Sequence, residues 1–272
     1  MNIIIPMAGG GQRFVNAGYT APKPMIEVCG RKIVDYVCDM FDRKNDVFTF
    51  IINSQHFESG FMGWDFKGMV DNYNLVVMEP HKLGPVHTVL AAEQYIGSDD
   101  PVIVAYCDNP VKWDYGEFKR YVSGGMDGCI ISHTGFHPHT LSSTMFAYSK
   151  TDADNRVLEI KEKSCYTSNR FKEHASSGIY YFKHGYYIKK YFRQAIEKNV
   201  NYNGEFYVTL VYNLLIQDGL NVFSYLNDEV LAFGTPQEVR NYEAWQTIIN
   251  GGQVNSVEDA IDCYNYWSRV KK

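Results

Sequence analysis

The six cysteines, Cys29, Cys38, Cys107, Cys129, Cys165 and Cys263, are scattered, and no two stand in C-x-x-C spacing. That argues against a zinc ribbon or a disulfide framework and predicts the reduced thiols of a cytoplasmic protein. No apolar run approaches the ~20 residues a membrane-spanning helix needs. Met1 runs into Ile3-Ile4-Ile5 without a basic flank, which reads as a first strand and not a signal peptide. An excess of positive charge is also missing: 26 Lys and Arg face 31 Asp and Glu, a net charge of −5. A field of that sign argues against nucleic acid and anionic membrane as partners. It leaves room for a small phosphate, because a few local cations or one metal ion outweigh a weak overall field. Internal repeats and low-complexity tracts are absent, as is any persuasive Ser-His-Asp or Cys-His arrangement.

What is present is a regular alternation. Ile3–Pro6, Val47–Asn53, Leu75–Met78 and Val102–Ala105 are short apolar runs without polar alternation, the pattern of strands buried on both faces. Between them, Ile33–Phe41, Gly60–Tyr73 and Pro85–Tyr95 read as helices. This order predicts a doubly wound α/β sheet with ligands at the carboxyl ends of its strands. Beyond Asp108, strand-like stretches follow at Gly128–Ser132, Thr144–Tyr148, Val157–Glu162 and Ser177–Phe182. Helical patterns return at Gly185–Lys198 and Glu205–Asp218. Residues 236–272 read as two helices, with Trp245 and Trp267 as packing residues. The expected organisation is one α/β domain over residues 1–235 and a helical extension over 236–272.

The sharpest local feature is the turn after the first strand, Ala8-Gly9-Gly10-Gly11-Gln12-Arg13, followed by Pro22-Lys23-Pro24. Glycines let backbone N–H groups approach phosphate oxygens. The segment has neither the Gly-Lys-Ser/Thr of a P-loop nor the third glycine of a dinucleotide fingerprint. A fixed arginine and a lysine between prolines suit a triphosphate whose pyrophosphate must leave bearing its charge.

Here the chain resembles the sugar-phosphate nucleotidyltransferase family, whose signature A-G-x-G-x-R followed by P-K is matched by Ala8 to Arg13 and Pro22-Lys23. Gly18-Tyr19-Thr20-Ala21-Pro22-Lys23-Pro24 looks like the branch found in bacterial capsule and surface-polysaccharide pathways. The resemblance runs to about Trp245. It implies a Rossmann-like, mixed but mainly parallel sheet, a nucleoside triphosphate and a small phosphorylated acceptor as partners, and Mg²⁺ as cofactor. Ala8, Gly9, Gly10 and Gly11 would cradle the nucleotide, with Arg13 and Lys23 as catalytic residues on the triphosphate. Glu79 and Gly84 fall where the family reads the base. Many relatives carry glutamine at Glu79; a carboxylate only accepts hydrogen bonds, so it can pair with an amino group of cytosine or guanine or with uracil N3–H, and CTP is weakly favoured. Asp108, in Ala105-Tyr106-Cys107-Asp108-Asn109, would bind the metal, as a hard cation prefers oxygen.

Further along, Glu162 and Lys163 match the family's E-K segment, with Glu162 on the acceptor and the catalytic Lys163 on its phosphate. Period two puts Glu159, Lys161 and Lys163 on one face of their strand and Glu162 on the other. Gly178 falls on the acceptor-pocket strand, and Glu205 in Gly204-Glu205-x-x-x-Thr209 would meet acceptor hydroxyls. A departure occurs near Gly234: relatives often supply a second metal-binding aspartate just before this glycine, where Ala232 and Phe233 cannot ligate. Asp228 is a candidate substitute. Of the histidines, His133, His137 and His139 read as solvated or at the substrate rim, and His87 as packing or capping. Tyr180, Tyr181 and Tyr207 suit either stacking on a ligand or the core.

The expected reaction is attack of an acceptor phosphate oxygen on the α-phosphorus, expelling pyrophosphate. A phosphate monoester with its second pKa near 6 is already ionised at pH 7, so no general base is required. Two other readings stand beside it. A nucleotide sensor built on a decayed transferase would release no pyrophosphate. A nucleotide-sugar-dependent glycosyltransferase would have no use for Arg13 and Lys23, and the D-x-D pair usual there is missing. The sequence leaves the acceptor and the oligomeric state open.

Overall fold

The computed structural model describes residues 1–58, 65–135, 146–227 and 229–249. Its centre is strand β1 (Asn2–Met7), in which Ile3, Ile4 and Ile5 have no exposed surface. Alternate residues feed opposite faces of the sheet: Ile3, Ile5 and Met7 enter one core, Ile4 the other. Burial on both faces is the reason this strand reads as a continuous apolar run.

From β1 the chain forms the short helix α1 (Gln12–Asn16), then a hairpin of β2 (Glu27–Val28) and β3 (Arg31–Lys32). Cys29 and Gly30 form the hairpin's two-residue turn, both with positive φ, as a tightly twisted turn requires. Helix α2 (Ile33–Cys38) leads to β4 (Val47–Asn53), α3 (Ser54–Glu58) and β5 (Tyr73–Met78). Helix α4 (Pro85–Leu90) and a 3-10 turn at Glu93–Tyr95 return the chain to β6 (Val102–Ala105), on the other side of β1. Then come α5 (Tyr115–Val122), β7 (Gly128–His133), β8 (Ala147–Thr151), β9 (Val157–Glu162) and β10 (His174–Phe182). Helices α6 (Gly185–Glu197) and α7 (Val208–Gln217), strand β11 (Val222–Leu226) and helix α8 (Pro236–Ile249) complete the described fold.

The sheet order is β11-β7-β10-β6-β1-β4-β5, with β8 and β9 branching from β10. Only β10 runs against its neighbours along this path; the contacts of β1 with β4 and β6, β4 with β5, and β7 with β11 are parallel. Helices α2 and α5 cover one face through Val34, Val37, Phe118 and Val122. Helices α4, α6 and α7 cover the other through Val86, Val89, Ile188, Phe192, Val211 and Leu215. The result is the expected mixed, mainly parallel sheet between two helical layers. Because the chain leaves β1 toward β4 and returns on the β6 side, the crevice lies at the carboxyl ends of β1 and β6.

Several local expectations are corrected. The helix expected over Gly60–Tyr73 is not formed across residues 65–73; residues 59–64 lie outside the described segment. Phe66, Met69 and Val70 are buried at helical spacing, but they belong to a single turn closed by the Val70 N–H on the Phe66 carbonyl. Tyr73 already starts β5. One turn of chain produces the same i, i+3, i+4 spacing as a helix. Helix α7 begins at Val208 instead of Glu205, because Asn203 and Gly204 take positive φ in a turn bridged between Tyr202 and Glu205. The expected strand at Thr144–Tyr148 runs as β8 over Ala147–Thr151, with 144 and 145 outside the described residues. Helix α5, capped by the Asp114 carboxylate on the Glu117 N–H, and β11 were not foreseen. The second C-terminal helix and Trp267 fall beyond the described residues.

Candidate active site

The first strand ends at Met7 and delivers the buried Ala8 to the crevice; its carbonyl accepts a hydrogen bond from the Asn53 side-chain amide at 3.3 Å. Asn53, itself buried at the end of β4, fixes the start of the turn; only its place after an apolar run signalled it. Gly9 and Gly10 are exposed, with nothing within 4 Å of where a Cβ would lie. Gly11 has φ +62, and a Cβ there would come within 3.3 Å of the Lys23 Cβ. The turn is thus an open concavity whose last glycine is pressed onto Lys23.

Lys23 begins a 3-10 turn (Lys23–Met25), and its Nζ lies 2.5 Å from Asp108 Oδ2 at the end of β6. The two residues, 85 apart in sequence, meet because β1 and β6 are neighbours. Burial opposes the Lys23 charge, but Asp108 outweighs it and holds the ammonium above its ordinary pKa. Lys23 is therefore a fixed cation at the crevice. Arg13, exposed on α1, is near enough for its charge to act on both Lys23 and Tyr207.

Behind this pair, the Phe233 N–H donates to the Asp108 carbonyl at 2.8 Å. Phe233 is fully buried with Phe14, Ile26, Ile33 and Val239 in a third core. Tyr242 of α8 packs edge-on against Phe233 at 5.1 Å. One aromatic cluster thus ties the helix after the glycine turn to the turn that opens α8. A Cβ on Gly234 would stand 3.2 Å from Glu238 Oε2 and 3.7 Å from Asp108 Oδ2. Glu238, unremarked in the sequence, is half-buried; burial raises its pKa, as does Asp108, against the Thr235 hydrogen bonds and Lys23. Asp108 and Glu238 thus bring two hard carboxylates to the same side of Gly234, a donor type suited to a small divalent cation. No group of three His, Cys, Asp or Glu able to hold a metal occurs among the described residues. Asp228 lies outside them.

On the base side, Glu79 is exposed just after β5. The following loop turns on His81, whose Nδ1 accepts the Leu83 N–H at 3.1 Å and whose Nε2 meets the Thr88 hydroxyl at 3.2 Å. Gly84 has φ +90, and a Cβ there would fall 2.6 Å from the Phe206 backbone nitrogen. The chain passes so closely because the Phe206 N–H donates to Leu83 O and the Val86 N–H to Phe206 O. Gly84 is thereby fixed by packing against the loop that carries Glu205. His87 packs its ring 5.1 Å from Phe206, the expected packing role.

A second cluster lies within reach of the Arg13 charge. Glu162, buried at the end of β9, accepts the Thr209 hydroxyl at 2.6 Å. Burial pushes its carboxyl up to about 7, reinforced by Glu205 and opposed by Thr209 and Lys163. Lys163 Nζ donates to the Tyr207 hydroxyl at 2.7 Å, and that hydroxyl donates to Glu205. The ammonium also lies 4.7 Å from the Tyr207 ring centre and 5.3 Å from that of Tyr202. Strand alternation would separate Glu162 from Lys163. Instead Lys163 takes φ +53, leaving the strand geometry, so that both act on the same Tyr207–Glu205 corner. Tyr180 and Tyr181 are core residues, whereas Tyr207 belongs to the site. Gly178, at φ +81 in a bulge of β10, lies against Tyr106, with room for a Cβ only 3.3 Å from that side chain. Asn213 on α7 was also missed: its amide pairs with both backbone groups of Ile160 at 2.9 Å, closing the free edge of β9. His133 is corrected from solvated to buried, with Nδ1 3.1 Å from the Ser177 hydroxyl; His137 and His139 lie outside the described residues.

The Lys23–Asp108 pair at the switch point and the Lys163–Tyr207–Glu205 cluster, both within reach of the Arg13 charge, define an α/β protein with charged groups gathered beside the crevice of its sheet. The family model for nucleotidyl transferases matches residues 2–246, and the chain belongs to that family. Among curated relatives, the bifunctional protein GlmU of Thermodesulfovibrio yellowstonii is 24% identical over 230 residues, covering 83% of this chain and 47% of its own. The GlmU of Alkaliphilus metalliredigens is 22% identical over 272 residues, covering 96% and 52%. The chain thus spans about half the length of the curated relatives it matches. A nucleoside-diphosphate-sugar pyrophosphorylase from Vibrio cholerae superposes with a TM-score of 0.73 at 22% identity, over 89% of this chain and 99% of that one. The inositol-1-phosphate CTP transferase of T. maritima does so at 0.66 and 16%, over 93% and 97%. At these identities the solved structures speak for the fold alone. No helix among the described residues is long and apolar enough to cross a membrane.

Proposed function

We propose that this protein is a cytoplasmic nucleotidyltransferase that joins a nucleoside triphosphate, with CTP favoured, to a sugar 1-phosphate or similar small phosphate and releases pyrophosphate. The observation that carries the reading is the Lys23–Asp108 pair, 2.5 Å apart, with Lys23 packed against Gly11 of the glycine turn, together with the Lys163–Tyr207–Glu205 cluster. The first supplies charge for a triphosphate, the second a cation and hydroxyl acceptors for a phosphorylated polyol. An acceptor phosphate oxygen forms a bond to the α-phosphorus, the bond from that phosphorus to the β-phosphate bridge breaks, and pyrophosphate leaves with the electron pair. Lys23 and Arg13 offset its charge, while Lys163 aligns the attacking phosphate and Glu162 and Glu205 hold acceptor hydroxyls. Rate then comes from positioning and charge stabilisation, without a general base. Asp108 would hold Mg²⁺, which when bound neutralises triphosphate charge.

The CTP preference rests on Glu79, whose carboxylate can accept from the cytosine amino group; the CTP named for the T. maritima neighbour is in keeping with it. A place in surface-polysaccharide synthesis, and division into residues 1–235 and 236–272, belong to the same proposal. The test is pyrophosphate release with Mg²⁺, crossing the common triphosphates with a panel of sugar and non-sugar phosphates. Release requiring CTP and one acceptor is expected. Nucleotide binding with no release in any combination would favour a sensor and overturn the reading.

A further inference from the structure

Asp108 has a second carboxylate opposite it that no motif identified. Glu238 Oε2 and Asp108 Oδ2 both lie within 4 Å of one point, the position a Cβ on Gly234 would take. A Cβ at residue 234 would crowd Glu238 Oε2 and touch Asp108 Oδ2, and glycine avoids both contacts. Lys23 reaches the same Asp108 oxygen from the crevice side, so the carboxylate already faces a cation in the place where a metal would share it. The Ala232 and Phe233 side chains offer no ligand, and Phe233 is committed to the third core. From this geometry we propose that Glu238 is the second protein ligand of the divalent cation, completing with Asp108 a two-carboxylate site whose remaining positions go to triphosphate oxygens and water. The inference rests on the transferase reading for its choice of ligand.

Glu238 has another occupation. Thr235 and Glu238 open α8 with the T-x-x-E spacing of a capping box: the Glu238 N–H donates to Thr235 Oγ1 at 3.2 Å, and the carboxylate accepts from Thr235. A box of that kind accepts glutamine as well as glutamate, whereas a divalent cation distinguishes the two sharply. Glu238→Gln therefore separates the roles.

The probe is inorganic tripolyphosphate, which carries no base, offered to the full-length protein alone and as its Mn²⁺ complex, with Mn²⁺ followed by electron paramagnetic resonance. For Glu238→Gln the melting temperature is expected to stay at the wild-type value. Metal-free tripolyphosphate should bind as tightly as to wild type or tighter, since a negative charge has gone. The Mn²⁺ complex should bind about tenfold or more weakly, and Asp108→Asn should show the same loss. If the E238Q variant binds the Mn²⁺ complex as wild type does while Asp108→Asn loses it, Glu238 is a helix cap and nothing more. Should both forms of tripolyphosphate gain affinity together, the carboxylate acts only through its charge, and the assignment is equally wrong. Wild-type pyrophosphate release is scored in parallel: its absence across the panel would remove the transferase reading whatever the Mn²⁺ titration gave. Release without a Glu238 effect would remove this inference alone.

Discussion

The two sides of the crevice are built by different means. The side proposed for the nucleotide is made mostly of backbone: a glycine turn after β1, a 3-10 turn holding Lys23, and the loop after β6 holding Asp108. Its residues come in short contiguous stretches, and its Lys23–Asp108 pair forms because β1 and β6 are adjacent parallel strands. The side proposed for the acceptor is made of side chains from β9, the residue after it, the loop before α7 and α7 itself, joined as Thr209–Glu162 and Lys163–Tyr207–Glu205. A site of the first kind leaves a motif in the sequence; one of the second leaves isolated residues. The first should also tolerate changes of ligand poorly, because backbone cannot be re-aimed, while the second can change specificity by single substitutions.

The largest effect that would test this contrast is on chemistry. Lys23→Ala is expected to lower the rate of pyrophosphate release about 10²–10³-fold, the range for removing one positioned donor to developing charge, with little change in acceptor KM. A comparable rise in acceptor KM would mean the two halves are not separable. Next is Gly84→Ala, whose Cβ would sit 2.6 Å from the Phe206 backbone. The two loops must part or the backbone must strain, and a loss of about 2–4 kcal/mol in denaturant unfolding is expected. Since Gly84 joins the base loop to the acceptor loop, both substrate affinities should fall. An effect confined to nucleotide affinity would give the glycine a purely local role.

Glu162 provides a pH test of the acceptor side. Its folded-state pKa of about 7 lies above the ordinary glutamate value of 4.5, so the native state holds a proton that the unfolded chain releases. Below the unfolded value both states are protonated and the group costs nothing. Stability should fall as pH rises from about 4.5 to about 7 and stay reduced above that, by up to about 3 kcal/mol. Glu162→Gln is expected to remove this part of the stability–pH curve. A curve unchanged by the substitution would mean that Glu162 is solvated or neutralised in a way the cluster does not provide. The smallest effect concerns Tyr207→Phe, which removes the hydroxyl between Lys163 and Glu205 but keeps the ring against the lysine. Acceptor KM should rise several-fold, about 1 kcal/mol for one hydrogen-bonded hydroxyl, with triphosphate KM unchanged. If the triphosphate KM rises instead, the Arg13–Tyr207 proximity matters more than the acceptor contacts.

What could be read from sequence follows the same division. Strands Val47–Asn53 and Val102–Ala105 have the bounds their composition predicts, because a run of residues buried on both faces has no other good environment; Val157–Glu162 keeps its expected bounds too, although Leu158 and Glu159 are exposed. Helix α5 was missed because only Phe118 and Val122 of its eight residues are buried, too few for a periodic signal. The 65–70 turn was overread for the opposite reason: three apolar residues at helical spacing are as much as one turn needs. Lys163 was put on the wrong side of Glu162 because its left-handed φ depends on the surrounding packing and not on its own residue type.

By itself the sequence determined the α/β class, the order of the central strands' elements and the glycine turn after β1. These depend on burial pattern and on glycines, which act through neighbours in the chain. Only the tertiary structure decided that Lys23 meets Asp108, that Glu238 faces the same carboxylate across Gly234, and that Asn213 closes the edge of β9. Such meetings join residues far apart in sequence, and the energy that fixes them comes from packing a sheet between two helical layers, which no local pattern encodes.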